Sequence, residues 1–315
     1  MPIFLNYNNT LEEIKEKPFK LEKDIQHLFE ANLATIMGLA LVKSEFTIKN
    51  KRIDTLAFDP ESKSFVIIEY KRDKNHSVVD QGFTYLGLML ENKADFIVEY
   101  NETLKGDLKR GHVDWSQTRV VFVSTSFTDN QIQASNFKDL AIELWEVKKY
   151  ENGTILINPI KKSNTAESIK PLAQQNDRLK NVSKEIKVYT EQEHVERGSE
   201  SIVELYEKFK VAILNLADGI ELKSQKEYLS FKKGKNIVDI CILKKSLKIW
   251  INLKKGQLDD PKGIMRDVSD VGHWGNGDYE IQVNDDENLE YLMSLIKQAI
   301  NNKMYRSLVI KGLKN

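Results

Sequence analysis

Four apolar residues, Phe65-Val66-Ile67-Ile68, run without a break into Glu69-Tyr70-Lys71-Arg72. A short continuous apolar run bounded by turn residues reads as a buried strand. Asp59-Pro60-Glu61-Ser62 supplies the turn ahead of it, with residue types that favour turn geometry. Such a strand needs cover from neighbouring layers, which points to a sheet flanked by helices. Side chains two apart on a strand share a face. Glu69 and Lys71 therefore point the same way, at the end of a strand anchored by apolar residues.

Residues 52–58 read as the preceding strand of a hairpin, which brings Asp54 within reach of Glu69. The hairpin thus gathers two carboxylates and one ammonium at one end of a sheet. Two close carboxylates suit a hard divalent cation, since Mg²⁺ is bound through one or two carboxylates plus waters and substrate phosphate. Such a cation activates water and neutralises charge developing on a phosphate. The same three residues would also suit a salt-bridge triad on a solvated sheet face. The context favours the site. A helix follows over 76–90 and carries Gln81 and Tyr85 four apart, hence on one face. A helix over 21–37 carries Glu22 and Gln26 at the same spacing. His76 is expected to cap the helix that it begins.

These residues in this order resemble the PD-(D/E)XK nuclease superfamily, in the branch of RecB-like and archaeal-type endonuclease domains. The match is Asp54, fourteen intervening residues, then Glu69-Tyr70-Lys71, followed by Gln81-x-x-x-Tyr85. Glu22 fits the acid that many members carry on the first helix, with Asp24 and Glu30 as the other acids on or near it. The resemblance covers roughly residues 15–150. It implies a restriction-endonuclease-like αβββαβ core, a mixed sheet flanked by helices. It implies Mg²⁺ or Mn²⁺ held by Asp54, Glu69, the carbonyl of Tyr70 and Glu22. It further implies Lys71 as the catalytic lysine assisting the attacking water, and Gln81 and Tyr85 as residues that orient the lysine or contact phosphate. Ile53 stands where the proline that names the motif would be. The expected activity is metal-dependent hydrolysis of nucleic-acid phosphodiesters, with DNA the expected partner. The alternative is a non-catalytic nucleic-acid- or protein-binding module on the same fold.

Beyond this core, residues 1–160 read as one domain. Further strands are expected at 45–49, 95–100, 119–124 and 142–147, and a helix at 128–137. Asn152-Gly153 marks a hairpin turn within 147–160. Residues 161–197 hold few large apolar side chains and are expected to be a polar linker, of which 169–172 and 180–189 either stay extended or form helices that pack along the domains. Residues 198–315 read as an α+β domain: helices at 199–216 and 286–302, an antiparallel meander over 228–253, and a strand at 279–283. The second domain resembles an uncharacterised bacterial domain sometimes labelled a predicted transport protein, on 260–269 and 272–280. That label gains no support from the sequence. His273 and Trp274 sit in a glycine-marked loop. There Trp274 either stacks on a base or plugs the sheet, and His273 is exposed or caps a turn. Lys232, Lys233, Lys235, Lys244, Lys245 and Lys248 form either a solvated edge or a phosphate-contacting patch.

Composition narrows the classes. Forty-seven basic and 47 acidic residues leave no net charge among 315 residues. Resolved by region, the balance is −4 for 1–160, +1 for 161–200 and +3 for 201–315. This excludes a polybasic, purely electrostatic nucleic-acid binder. One cysteine, Cys241 in an apolar run, excludes a disulfide framework. Neither a phosphate loop nor a Gly-x-Ser-x-Gly elbow is present, and five histidines are scattered. The longest nearly apolar run, 31–42, is too short to span a bilayer at about 20 residues. With no secretory signal in the sequence, a cytoplasmic location without a membrane partner is expected. A homo-oligomer is left open.

Overall fold

In the computed structural model, which describes residues 2–72, 77–163, 165–173 and 177–302, the chain divides into two compact units at Val188/Tyr189. The first unit contains, in chain order, β1 (Ile3–Tyr7), β2 (Thr10–Ile14), α1 (Glu22–Met37), β3 (Ala40–Ile48), β4 (Lys51–Asp59), β5 (Ser64–Lys71), α2 (Val78–Glu91) and α3 (Lys93–Leu104). It continues with β6 (Arg119–Ser124), α4 (Asp129–Ser135), β7 (Ile142–Lys149), β8 (Ile155–Ile160), α5 (Lys170–Ala173) and α6 (Asp177–Glu185). β1 and β2 form a hairpin of their own. The other six strands form one mixed sheet in the order β3-β4-β5-β6-β7-β8. β5, β6 and β7 run parallel, and the outer pairs are antiparallel.

β5 is buried along its length except at Lys71, because both faces of the sheet are covered. On one face Ile25, Phe29 and Leu33 of α1 pack on Val66, Ile68, Tyr70 and Val121. On the other, Phe83, Leu86 and Met89 of α2 and Phe96 of α3 pack with Phe65, Ile67 and Phe122. Each such fully buried side chain contributes roughly 1.5–3 kcal/mol. Alternation along β5 then fixes the site's geometry: Phe65, Ile67 and Glu69 lie on the α2 face, and Val66, Ile68 and Tyr70 on the α1 face.

Two expectations differ from the structure here. Residues 95–100, expected as a strand, lie in α3. Phe96, Ile97 and Tyr100 face the core at a helical spacing while Val98 is exposed, and the short apolar run 96–98 cannot by itself be told from a strand. Residues 161–197 hold three helices, and Ile169, Val182 and Ile186 are buried in the first core, the packed alternative of the two readings rather than a plain polar linker. A few well-spaced apolar residues suffice for that, whatever the polar average. The expected cap His76 lies outside the described residues. Ser77 caps α2, its Oγ accepting the Asp80 N–H at 3.3 Å.

The second unit contains α7 (Glu191–Val195), α8 (Glu200–Leu214), β9 (Glu221–Ser224), β10 (Leu229–Lys233), β11 (Lys235–Leu243), β12 (Ser246–Ile251), β13 (Arg266–Asp267), β14 (Tyr279–Val283) and α9 (Leu289–Asn301). Its sheet is antiparallel, in the order β13-β14-β12-β11-β10-β9. One face packs on α8 and α9 through Phe209, Ile213, Leu292 and Ile296. The other carries a small cluster of Tyr228, Cys241, Trp250 and Val268. The glycine-marked loop lies against this cluster, where the backbone N–H and Nδ2 of Asn276 both donate to the buried Asp239 Oδ2, at 2.9 and 3.3 Å. Trp250, not Trp274, fills the sheet face. Trp274 is 56% exposed, and His273 Nδ1 makes a local bond to Val271 O. Among the described residues, no helix is long and apolar enough to cross a membrane.

Candidate active site

The site lies where β4 and β5 part. Their antiparallel ladder ends at the pair Thr55↔Ile68, and side chains occupy the gap beyond it. The Tyr70 N–H donates to Asp54 Oδ2 at 3.0 Å, and the Asp54 N–H donates to Glu69 Oε1 at 3.3 Å. Each acid is thus tied to the other's strand. In a strand the N–H and C=O of one residue face the same neighbour, so the Tyr70 carbonyl faces the gap that holds Asp54.

From the α2 face, Gln81 Nε2 and Tyr85 OH reach Glu69 Oε2 at 2.7 and 2.9 Å. Gln81 Nε2 also contacts Tyr85 OH at 3.1 Å. Lys71 Nζ stands 3.5 Å from the same Oε2. Gln81 and Tyr85 are therefore seated on Glu69, whereas the resemblance implied contact with the lysine or with phosphate. Their i, i+4 spacing brings both to one oxygen. Burial, together with the Glu69 charge, pushes the Tyr85 hydroxyl well above its ordinary range, so it stays protonated and donates.

Glu69 is buried and Asp54 half-buried, and their charges act on one another. Burial raises the Asp54 carboxyl above its ordinary value, against the lowering effects of the Tyr70 N–H and Lys71. Burial, and next the Asp54 charge, pushes Glu69 up to about 7. Two like charges with one lysine between them carry an excess of negative charge. The available donors are hard oxygens: Glu69 Oε1, an Asp54 carboxylate and the Tyr70 carbonyl. That set fits a small divalent cation completed by waters.

Glu22 does not join the pair. Its Oε1 accepts the Arg72 N–H at 2.9 Å. Among the described residues, no group of three or more His, Cys, Asp or Glu side chains is placed to hold a metal. The other helix acids are engaged as well. Asp24 Oδ2 accepts the Leu21 N–H. Glu30 Oε1 accepts from Thr55 Oγ1 at 2.5 Å and from Gln26 Nε2 at 2.9 Å.

Two neighbours of the site carry no motif. Gln26 is 3% exposed and donates to the Asp54 carbonyl at 2.8 Å. Its spacing from Glu22 was the available signal, but the carbonyl that it serves is invisible in a sequence. Glu45 lies across from Asp54 in β3 at φ 55, where its carboxylate meets Lys23 and Arg52. The bond from Lys23 is the chief cause holding that carboxyl below its ordinary value.

Residues 191–303 match a family described as "Domain of unknown function (DUF5655)". Three solved structures show partial likeness. The EndoMS–dsDNA2 complex is 18% identical, over 43% of this chain and 54% of that one, at a TM-score of 0.27. A repair endonuclease from Pyrococcus abyssi is 17% identical, over 38% and 44%, at 0.22. Pyrococcus furiosus SfsA in complex with Ca²⁺ is 13% identical, over 49% and 78%, at 0.26. The matched part spans about half of each of the two endonuclease chains. Overlays at this level carry no argument about chemistry, which rests on the geometry above. A protein of Haemophilus influenzae described as "Uncharacterized protein" is 58% identical over 300 residues, covering 95% of this chain and 99% of that one. With that identity along nearly the whole of both chains, this chain belongs to one family with the Haemophilus influenzae protein.

Proposed function

We propose that the first unit is a divalent-cation-dependent nuclease that hydrolyses phosphodiester bonds, with DNA as substrate. The observation that carries this is the meeting of Asp54, Glu69 and Lys71 in the gap beyond the β4–β5 ladder. The order α1-β3-β4-β5-α2-β6, with α3 added before β6, also supports an αβββαβ nuclease core. Asp54, Glu69 and the Tyr70 carbonyl would hold Mg²⁺ or Mn²⁺. A bound cation supplies an activated water and neutralises charge on the phosphate. Lys71 has three donors and a seat beside Glu69, from which it orients the attacking water and faces the developing negative charge. Gln81 and Tyr85 keep the Glu69 carboxylate turned toward Asp54. Glu22 ties the start of α1 to the end of β5, which keeps the rim of the site closed.

The test is cleavage of single-stranded, branched and duplex DNA, and of RNA, with Mg²⁺ or Mn²⁺. Wild type is expected to cut DNA and to lose that activity with a chelator. Lys71→Ala is expected to cut roughly 10²–10⁴-fold more slowly. Equal rates for the two proteins would overturn the assignment. Wild type that neither cuts nor binds Mn²⁺ would leave a binding module on a nuclease-like fold.

A further inference from the structure

Among the described residues of β4, Asp54 alone has a register partner in neither neighbouring strand. On the β3 side the pairs Ser44↔Thr55 and Phe46↔Ile53 flank it, but Glu45 opposite has a reversed φ and does not pair, and the ladder to β5 has already ended. A residue unpaired on both sides has no ladder bond of its own to fix its peptide planes. Side chains bond its backbone instead: Glu69 accepts the N–H at 3.3 Å, and Gln26 donates to the C=O at 2.8 Å.

We infer that Gln26 is the positioning residue for Asp54, fixing the peptide from which the carboxylate is presented to Tyr70 and to the cation site. Its own amide is constrained. Nε2 is shared with Glu30 Oε1 at 2.9 Å and Ser44 Oγ at 3.3 Å, and the same Glu30 oxygen accepts from Thr55 Oγ1. α1 therefore grips β4 at two successive residues, Asp54 through Gln26 and Thr55 through Glu30. An amide suits the position because it must donate to a carbonyl and a carboxylate at once. A buried carbonyl stripped of its donor costs free energy, and the least costly relief is a rotation that swings Asp54 out of line. Groups outside the ligand shell that orient a ligand are typically worth 10–100-fold in metal affinity.

The consequence for metal rests on the nuclease reading; the geometry does not, and the test separates them. Gln26→Met keeps length and apolar bulk and removes the donors. Two measurements are made on the full chain: Mn²⁺ binding by calorimetry, and residue-resolved amide exchange without metal. The Tyr70 N–H, held by Asp54 Oδ2, reports where Asp54 stands. Val121, in the middle of β6, reports general stability. The expected result is Tyr70 exchange faster by about tenfold with Val121 unchanged, and Mn²⁺ affinity lower by roughly 10–100-fold. Unchanged Tyr70 exchange overturns the inference, and so does equal acceleration at Tyr70 and Val121. If wild type binds no Mn²⁺, the nuclease reading falls, and Tyr70 exchange by itself decides the role of Gln26.

Discussion

Glu69 is the residue on which the site turns, and it carries a cost. It is 2% exposed, faces Asp54, and its carboxyl is pushed up to about 7 from 4.5, burial being the larger cause. The folded state therefore keeps a proton that the unfolded state releases. Stability falls as pH rises through the window from about 4.5 to about 7, and then levels off. Glu69→Gln removes this charge. Without cation at pH 8 the variant is expected to be more stable by roughly 1–3 kcal/mol, with the advantage shrinking toward pH 5. Mn²⁺ should raise the melting temperature of wild type and not of the variant. Urea unfolding at the two pH values, with and without Mn²⁺, checks both parts; a variant less stable at pH 8 would refute the strain. At this scale Asp54, Glu69, Lys71, Gln81 and Tyr85 were legible, because residue type and spacing place them on facing elements. Gln26 and Glu45 were not, because their roles depend on one backbone carbonyl and one reversed φ.

Among the elements, the strands that read most clearly were those with continuous apolar stretches, such as β5, β11 and β12. The helices α1, α2, α8 and α9 read from their 3.6-residue period. β1, β2 and β9 passed unread, since each is short and none has a buried residue to set a pattern. α3 was misread because its apolar run, Phe96-Ile97-Val98, is too short to show a period. The glycine-marked loop was legible as irregular but not as load-specific, and that difference is testable. A Cβ on Gly277 would stand 1.9 Å from the carbonyl oxygen of Ile251, a backbone atom of β12. A Cβ on Gly82 in α2 would stand 2.3 Å from Ile142 Cδ1, the far end of a flexible side chain. Gly277→Ala is expected to destabilise the second unit by more than about 3 kcal/mol, and Gly82→Ala the first by about 1–2 kcal/mol. Denaturant unfolding followed in each unit measures the two; comparable costs would show that β12 can shift to make room.

For the whole molecule, the division of the chain tests the reading of 161–188. Ile169, Val182 and Ile186 are buried in the first core, at roughly 1.5–3 kcal/mol each. A fragment of residues 1–188 is expected to unfold cooperatively, and a fragment of 1–160 to be less stable by several kcal/mol. Equal melting temperatures would return 161–188 to the role of a linker. The sequence by itself determined that a sheet with a fully buried central strand would form, with Asp54, Glu69 and Lys71 near one of its ends. Alternation along a strand and helical periodicity are local rules, and they follow from residue order alone. The tertiary structure decided the rest: that β4 and β5 part after Thr55 and Ile68, that Gln81 and Tyr85 bond Glu69, and that Gln26 rather than a strand holds the Asp54 carbonyl. Those outcomes depend on which backbone groups lose their ladder partners when six strands twist together, a property of the assembled sheet that no residue order states.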